Sequence, residues 1–365
     1  MPDIHPKLVS YMRSAKKYEA SDLHIVPLTP PNIRQNGKLK ALVESPLTPE
    51  LTAQMILSTL TPDQQRYLDA HGELDYAISL EGTGRFRVNA YRAQGNYEAV
   101  IRLLSSTVKS LKELGLPDIA RDFALEKDGL VLVAGETGSG KSTSLASMID
   151  LINNERVKKR VFTIENPVEI VHQSNRALIS QREVGIDTDS FAQALRSVLR
   201  QDPDVILIGE IRDKDTAEVA LQAAQTGHLV FSTIHASSSE EAVNRYVNLF
   251  PPEDRENMRQ ALSISLRGIL VQHLVVGKQM ERLPAIEVLV NTLRVRRRIA
   301  GETSESLKTI IEEGGPHRMN SLEQELVRLV QKNRISVDVA LRAANNPRAL
   351  KLMLTKASLI TQALT

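Results

Sequence analysis

Gly135-Glu136-Thr137-Gly138-Ser139-Gly140-Lys141-Ser142 fits the pattern G-x-x-x-x-G-K-[ST], whose glycines, lysine and hydroxyl are spaced to hold a polyphosphate. Glycines let successive backbone N–H groups converge on phosphate oxygens. Lys141 is placed to reach the β- and γ-phosphates, and the Ser142 hydroxyl to hold Mg²⁺. The expected phosphate-binding set is Gly135, Thr137, Gly138, Ser139, Gly140, Lys141, Ser142 and Thr143. Such a loop needs an apolar strand before it and a helix N-terminus after it. Residues 129–134 read as a buried parallel strand and 143–150 as the continuing helix, so the context is complete. The chain is expected to bind a nucleoside triphosphate.

Carboxylates and histidines follow other strand-like runs. Runs at 130–134, 160–164, 205–208 and 229–233 alternate with helical segments, which predicts a parallel sheet covered on both faces, an α/β architecture. In such a sheet ligands gather beyond the carboxyl ends of the strands. The second run ends in Glu165-Asn166-Pro167-Val168-Glu169, the third in Gly209-Glu210, and the fourth near His235. A hydrolase needs one carboxylate to organise a metal's water shell and another to orient or deprotonate the nucleophile. Glu210 is the metal-side candidate together with Ser142. Glu169 is the candidate base, and Glu165 supports either role. His235 and His228 are seven positions apart, about 3.3 Å per residue along a strand, and must occupy its opposite ends. A γ-phosphate sensor fits His235, a domain or subunit contact fits His228, and for each an ordinary structural imidazole is the alternative.

Upstream, residues 6–19 have helical spacing of Leu8, Tyr11, Met12 and Tyr18. Asn36-Gly37 is a hairpin turn signal, Thr48-Pro49-Glu50 starts a helix, and 74–78, 84–91 and 97–103 are extended. That is an α+β domain over 1–103. Residues 104–116 read as a linker and hinge, 117–290 as the phosphate-loop domain, and 291–365 as a helical region with Leu322, Leu326, Leu329 and Val330 on one face.

Composition narrows the classes. A chain of 365 residues exceeds one ordinary core and implies two domains. With 42% hydrophobic and 25% charged residues and no apolar run of about 18, no membrane insertion is expected. The absence of cysteine excludes disulfides and thiolate-bound zinc, and the eight histidines contain no H-x₃-H pair. A net charge of +2 and 4% aromatic residues argue against a nucleic-acid groove. The first residues lack a signal-peptide layout, so a cytoplasmic location is expected.

Taken in order, the motifs resemble those of the bacterial secretion and type IV pilus motor ATPases, most closely the pilus retraction ATPase family PilT. They are Ser21-Asp22-Leu23-His24, Gly84-Arg85-Phe86-Arg87-Val88-Asn89, the phosphate loop and the acidic box 163–169. Then follow Gln181-Arg182-Glu183-Val184-Gly185, Ala194-Leu195-Arg196, Arg200-Gln201-Asp202-Pro203-Asp204 running through Asp213, Thr226-Gly227-His228 and Thr233-Ile234-His235. The resemblance implies a cytoplasmic homohexameric ring, peripheral at the inner membrane and working on a pilus platform protein there. It implies a PAS-like first domain, a RecA-like second domain, and Mg²⁺-dependent hydrolysis of ATP between subunits. It also implies that Glu169 is the catalytic base, Glu210 the Walker B acid, and Arg85, Arg87 and Arg102 ligands for a neighbour's phosphates, with His228 and His235 near the nucleotide and interface. Three positions depart from the pattern. Glu136 stands for the loop's usual Pro, Asn166 for an Asp, and the retraction motif aligned with Arg294–Ile299 keeps only Arg296 and Ile299. An accessory retraction ATPase or a type IV secretion motor is the alternative, with a ring DNA translocase behind both.

Overall fold

A computed structural model of the chain describes residues 4–35, 37–42, 45–104 and 108–358. By compactness it divides into one unit of Met1–Thr107 with Asn166–Val171 and another of Val108–Glu165 with His172–Thr365. Asn36 of the predicted hairpin turn, and 105–107 of the predicted linker, lie outside the described residues.

The first unit contains α1 (Pro6–Lys17), β1 (Asp22–Ile25), β2 (Asn32–Gln35), β3 (Lys38–Ala41), α2 (Pro49–Leu57), α3 (Pro62–His71), β4 (Glu73–Leu80), β5 (Gly84–Ala93) and β6 (Asn96–Leu103). Thr48 caps α2 and a Thr61/Gln64 capping box starts α3, each with Pro in the first turn, where a missing N–H costs nothing. All strand pairs are antiparallel in the order β3-β2-β1-β6-β5-β4. Alternation sorts β5 cleanly. Phe86, Val88 and Ala90 are buried in a core with Leu8, Met12, Met55, Ile56 and Leu68 from the helices, while Arg85, Arg87 and Asn89 take the other face. Helix α3 escapes a reading by apolar period because Leu68 is its one buried residue.

The second unit is built on a seven-stranded sheet of order β13-β12-β7-β11-β10-β8-β9, parallel except for β13. Its strands are β7 (Gly129–Ala134), β8 (Arg160–Glu165), β9 (Leu178–Glu183), β10 (Val205–Ile208), β11 (Leu229–Ile234), β12 (Leu266–Val276) and β13 (Arg282–Val290). Among the helices are α4 (Ile119–Ala124), α5 (Lys141–Asn154), α6 (Phe191–Val198), α7 (Lys214–Gln225), α8 (Ser239–Asn248) and α9 (Arg255–Ser265). The four predicted strands are all present, and β9, β12 and β13 are additional. Central strands feed two cores at once. Leu130, Leu132 and Ala134 pack on one face with Ile206, Ile208 and Val230, whereas Val131 and Val133 pack on the other with Val205, Leu207 and Phe231. Burial on both faces is why these strands read as unbroken apolar runs.

After the sheet come α10 (Leu293–Ala300), α11 (Leu307–Glu313), α12 (Leu322–Gln331), α13 (Val337–Ala343) and α14 (Pro347–Lys356). They are more than a tail. Leu322, Leu326, Leu329, Leu350 and Leu354 form a core with Val275 of β12 and Ala285 of β13.

Candidate functional site

Strands β7, β11 and β10 lie side by side, and their carboxyl ends lead into the phosphate loop, His235 and Glu210. Gly135, Gly138 and Gly140 have φ of +144°, +81° and +89°, where L side chains are strained. Space excludes a side chain as well. A Cβ on Gly135 would sit 2.4 Å from the carbonyl of Gln272 and from Ser139 Oγ, and one on Gly140 would sit 2.8 Å from Gln272 Nε2. Gln272 of β12 is 5% exposed and accepts from Ser144 Oγ at 2.7 Å. It wedges the loop against α5. The sequence reading missed it, and the available signal was a polar pair, Gln272-His273, inside an otherwise apolar run.

Lys141 is 8% exposed, and its ammonium donates to the carbonyls of Gly135 and Glu136 at 2.9 Å each. Burial lowers its pKa and the charge of Glu210 pulls it back up. Beside it, Ser139 Oγ is buried with no hydrogen-bond partner among the described residues, and Ser142 and Thr143 stand exposed in the first turn of α5. A desolvated cation, an unsatisfied hydroxyl and a helix N-terminus on one glycine-shaped loop fit an anion with several acceptor oxygens.

Glu210 follows β10 with its side chain 17% exposed. One carboxylate oxygen is 2.7 Å from Arg212 Nε and the other 3.2 Å from His235 Nε2. The exit of β10 is laced to β11, since Thr233 Oγ1 donates to the Gly209 carbonyl at 2.6 Å and Ile211 N to the Thr233 carbonyl at 3.1 Å. Desolvation, then the charge of Lys141, lowers the His235 pKa against the opposing pull of Glu210. The ring is therefore neutral near pH 7, and because a carboxylate only accepts, Nε2–H donates to Glu210. No cluster of three or more Asp, Glu, His or Cys with metal-site geometry occurs among the described residues. Mg²⁺ does not need one, since it keeps several waters and takes one or two protein oxygens plus phosphate, which the Ser142 hydroxyl and Glu210 carboxylate fit.

The other predicted residues fall elsewhere. Glu165, at the end of β8, accepts from Thr163 Oγ1 at 2.6 Å and Gln181 Nε2 at 3.1 Å. His228 precedes β11 at the end away from His235, with Nδ1 3.0 Å from the Ala223 carbonyl and 3.2 Å from Thr226 Oγ1 at the end of α7. Glu169 belongs to the first unit, with Oε1 3.3 Å from Arg87 Nη1. Arg85 Nε donates to the Val168 carbonyl at 2.7 Å in the same unit. Arg102 stands opposite both Arg87 and Asp22 in the strand register, with Nε 2.8 Å from Asp22 Oδ1. The basic stretch on α10 is partly neutralised in its own unit. Arg294 meets Glu305 and Glu313, Arg298 meets Glu240 at 3.2 Å, and Arg296 is exposed with no ion pair among the described residues.

Comparison with known proteins places this geometry. A family model described as "Type II/IV secretion system protein" matches residues 3–342. The type IV pilus retraction ATPase PilT of Pseudomonas aeruginosa is 39% identical over 331 residues, covering 91% of this chain and 96% of that protein. The type IV pilus ATPase PilU of the same organism is 37% identical, covering 92% and 87%. Among solved structures, the pilus retraction motor PilT with bound ADP superposes with a TM-score of 0.86 at 38% identity, covering 94% of this chain and 99% of that one. The mixed α/β architecture is that of this ATPase fold. No helix among the described residues is long and apolar enough to cross a membrane. A phosphate loop at the carboxyl edge of a parallel sheet, preceded by an α+β unit and matched nearly end to end, makes the chain a member of the type II/IV secretion system protein family.

Proposed function

We propose that this chain is an ATP-hydrolysing motor that powers retraction of type IV pili, working as a homohexameric ring on an inner-membrane platform protein from the cytoplasmic side. The observation that carries the reading is the buried Lys141 on its glycine loop, beside the Glu210–His235 pair on the same sheet edge. Similarity to a retraction ATPase over nine-tenths of the chain supplies the pilus context. In this reading residues 1–103 form a PAS-like domain, 104–116 a linker, 117–290 a RecA-like ATPase domain and 291–365 a helical region.

Backbone N–H groups of 135–143 and the Lys141 ammonium bind the phosphates, and the ammonium exchanges two carbonyl partners for anionic oxygens. Mg²⁺, held by Ser142 and through water by Glu210, would supply charge neutralisation at the β- and γ-phosphates. His235, neutral and tethered to Glu210, is placed to donate or accept at the γ-phosphate. Glu169 serves as the base, held by Arg87 until a neighbour's phosphates compete for that arginine. Arg85, Arg87 and Arg102 reach those phosphates in trans, and their release on hydrolysis lets the first domain turn about the linker.

Glu169→Gln tests the assignment. ATP binding should persist while phosphate release falls at least about a hundredfold; unchanged turnover removes Glu169 from the mechanism. Deletion of the protein should leave surplus pili and abolish twitching. An accessory retraction role is the second reading. It is favoured by α10, where Arg296 and Ile299 alone keep the retraction motif and Arg294 and Arg298 are engaged in ion pairs. Normal twitching after deletion would select it.

A further inference from the structure

The turn that follows His235 is held from the far end of the chain. Ser237 offers its carbonyl to two donors, Asn345 Nδ2 at 2.9 Å and the His273 ring at 3.2 Å, while its own N–H and hydroxyl go to Glu241 at 2.7 and 2.6 Å. Two residues on, Ser239 N at the start of α8 donates to Glu287 Oε1 at 2.7 Å. Glu287 is 7% exposed, on β13, on the face where its neighbours at i−2 and i+2, Ala285 and Leu289, are fully buried. A carboxylate where alternation calls for an apolar side chain needs a reason, since isolated burial of this group is costly.

The second half of the arrangement lies in the helical region. Burial raises the pKa of Glu287, against the hydrogen bonds from Ser239 and Leu322. Glu323, 2% exposed at the start of α12, accepts from Asn346 N at 2.9 Å and adds to the rise by its negative charge. Lys308 Nζ stands 3.9 Å from Glu323, on the side of that carboxylate not taken by Asn346. Adjacent residues of the α13–α14 connection thus hold both ends. Asn345 grips the turn after His235, and Asn346 grips the carboxylate that neighbours Glu287.

We propose that Glu287 and Asn345 are positioning residues for His235, clamping the 237–239 turn so that the imidazole meets Glu210, and that the helices after residue 320 thereby set the rate of the nucleotide site. This deepens the ATPase reading and rests on it. The chemistry of the clamp is hydrogen-bond geometry rather than charge, because Glu287 has to accept the Ser239 N–H and Asn345 to donate to the Ser237 carbonyl. Movement of α12–α14, by load or by a partner on that surface, would reach His235 through two hydrogen bonds and no change at the phosphate loop.

The test uses the full chain with Glu287→Ala, Glu287→Gln and Asn345→Ala. Asn345 is exposed, so its variant is safe for folding. Both alanine variants should lower kcat about tenfold, with KM for ATP within about twofold. Glu287→Gln, which keeps an acceptor for Ser239 N–H, should restore kcat to within about twofold of the parent. Hydrogen exchange across 236–241 should quicken about tenfold in the alanine variants and not in Glu287→Gln. A smaller-than-additive double alanine variant would place both residues in one unit. Unchanged kcat in Asn345→Ala, or failure of Glu287→Gln to rescue, overturns the proposal. Should the parent protein show no ATP turnover, it is the ATPase reading that fails, and the exchange rates alone then decide whether the clamp exists.

Discussion

The two sheets of this chain carry their charges differently. In the first unit the helices among the described residues pack on one face of the antiparallel sheet, and arginines spread across the other. Arg34, Asp22, Arg102 and Arg87 follow one another along a single row of the register, and Arg85 lies two residues away on β5. In the second unit both faces are covered, and the titratable groups of the site are confined to the carboxyl edge, where Lys141, Glu210 and His235 feel one another's charge. A half-covered sheet can offer a broad polar surface to a neighbour. A doubly covered sheet has to concentrate its polar chemistry where the strands end.

Removing the cation at the edge is the harshest test of that contrast. Lys141→Ala should cut phosphate release about a thousandfold, and a rate near that of the parent would break the claim that the second sheet does its chemistry at the loop. On the open face, Arg85→Ala combined with Arg87→Ala should lower turnover about a hundredfold. Stability should change by about 1 kcal/mol or less, because these are partly exposed pairs. A large loss of stability with unaltered turnover would make the arginines structural. Gly135→Ala should cost about 2–3 kcal/mol of unfolding free energy, read by denaturant titration, since its Cβ meets backbone and φ is positive. A smaller effect follows from His235. Its pKa is lowered in the free protein, and anionic phosphates should raise it, so between the two values the complex holds more protons than the free protein. Nucleotide binding should therefore take up protons where the pH lies between those two values and none well above them, an uptake absent in His235→Gln. Calorimetry in buffers of different ionisation enthalpy reads this directly.

Some of the architecture was legible residue by residue. The loop 135–142, the strands at 129–134, 205–208 and 229–233 and the shared face of Arg85 and Arg87 all follow from local spacing, and the structure agrees with each to within a residue. The placement of His228 and His235 at opposite ends of β11 follows from strand rise alone. What escaped has a common cause. Gln272 supports the loop from a strand 128 positions past Ser144, Arg87 lies beside Glu169 across 82 positions, and Asn345 reaches Ser237 across 108. No periodicity reports such pairs. β12 and β13 were missed because Gln272, His273 and Glu287 interrupt their apolar pattern, and those interruptions are the residues that touch the loop and the turn.

Sequence alone determined that a polyphosphate loop sits between a buried strand and a helix, and that acidic and histidine groups end the neighbouring strands, because each of these needs only residues adjacent in the chain. Tertiary structure decided which group each carboxylate faces. Glu210 went to His235 and Arg212, Glu169 to Arg87, and Glu287 to the turn beyond the histidine. The physical reason is that a charge or hydrogen bond acts over a few ångströms of space, and only the folded sheet order brings those distant positions within that range.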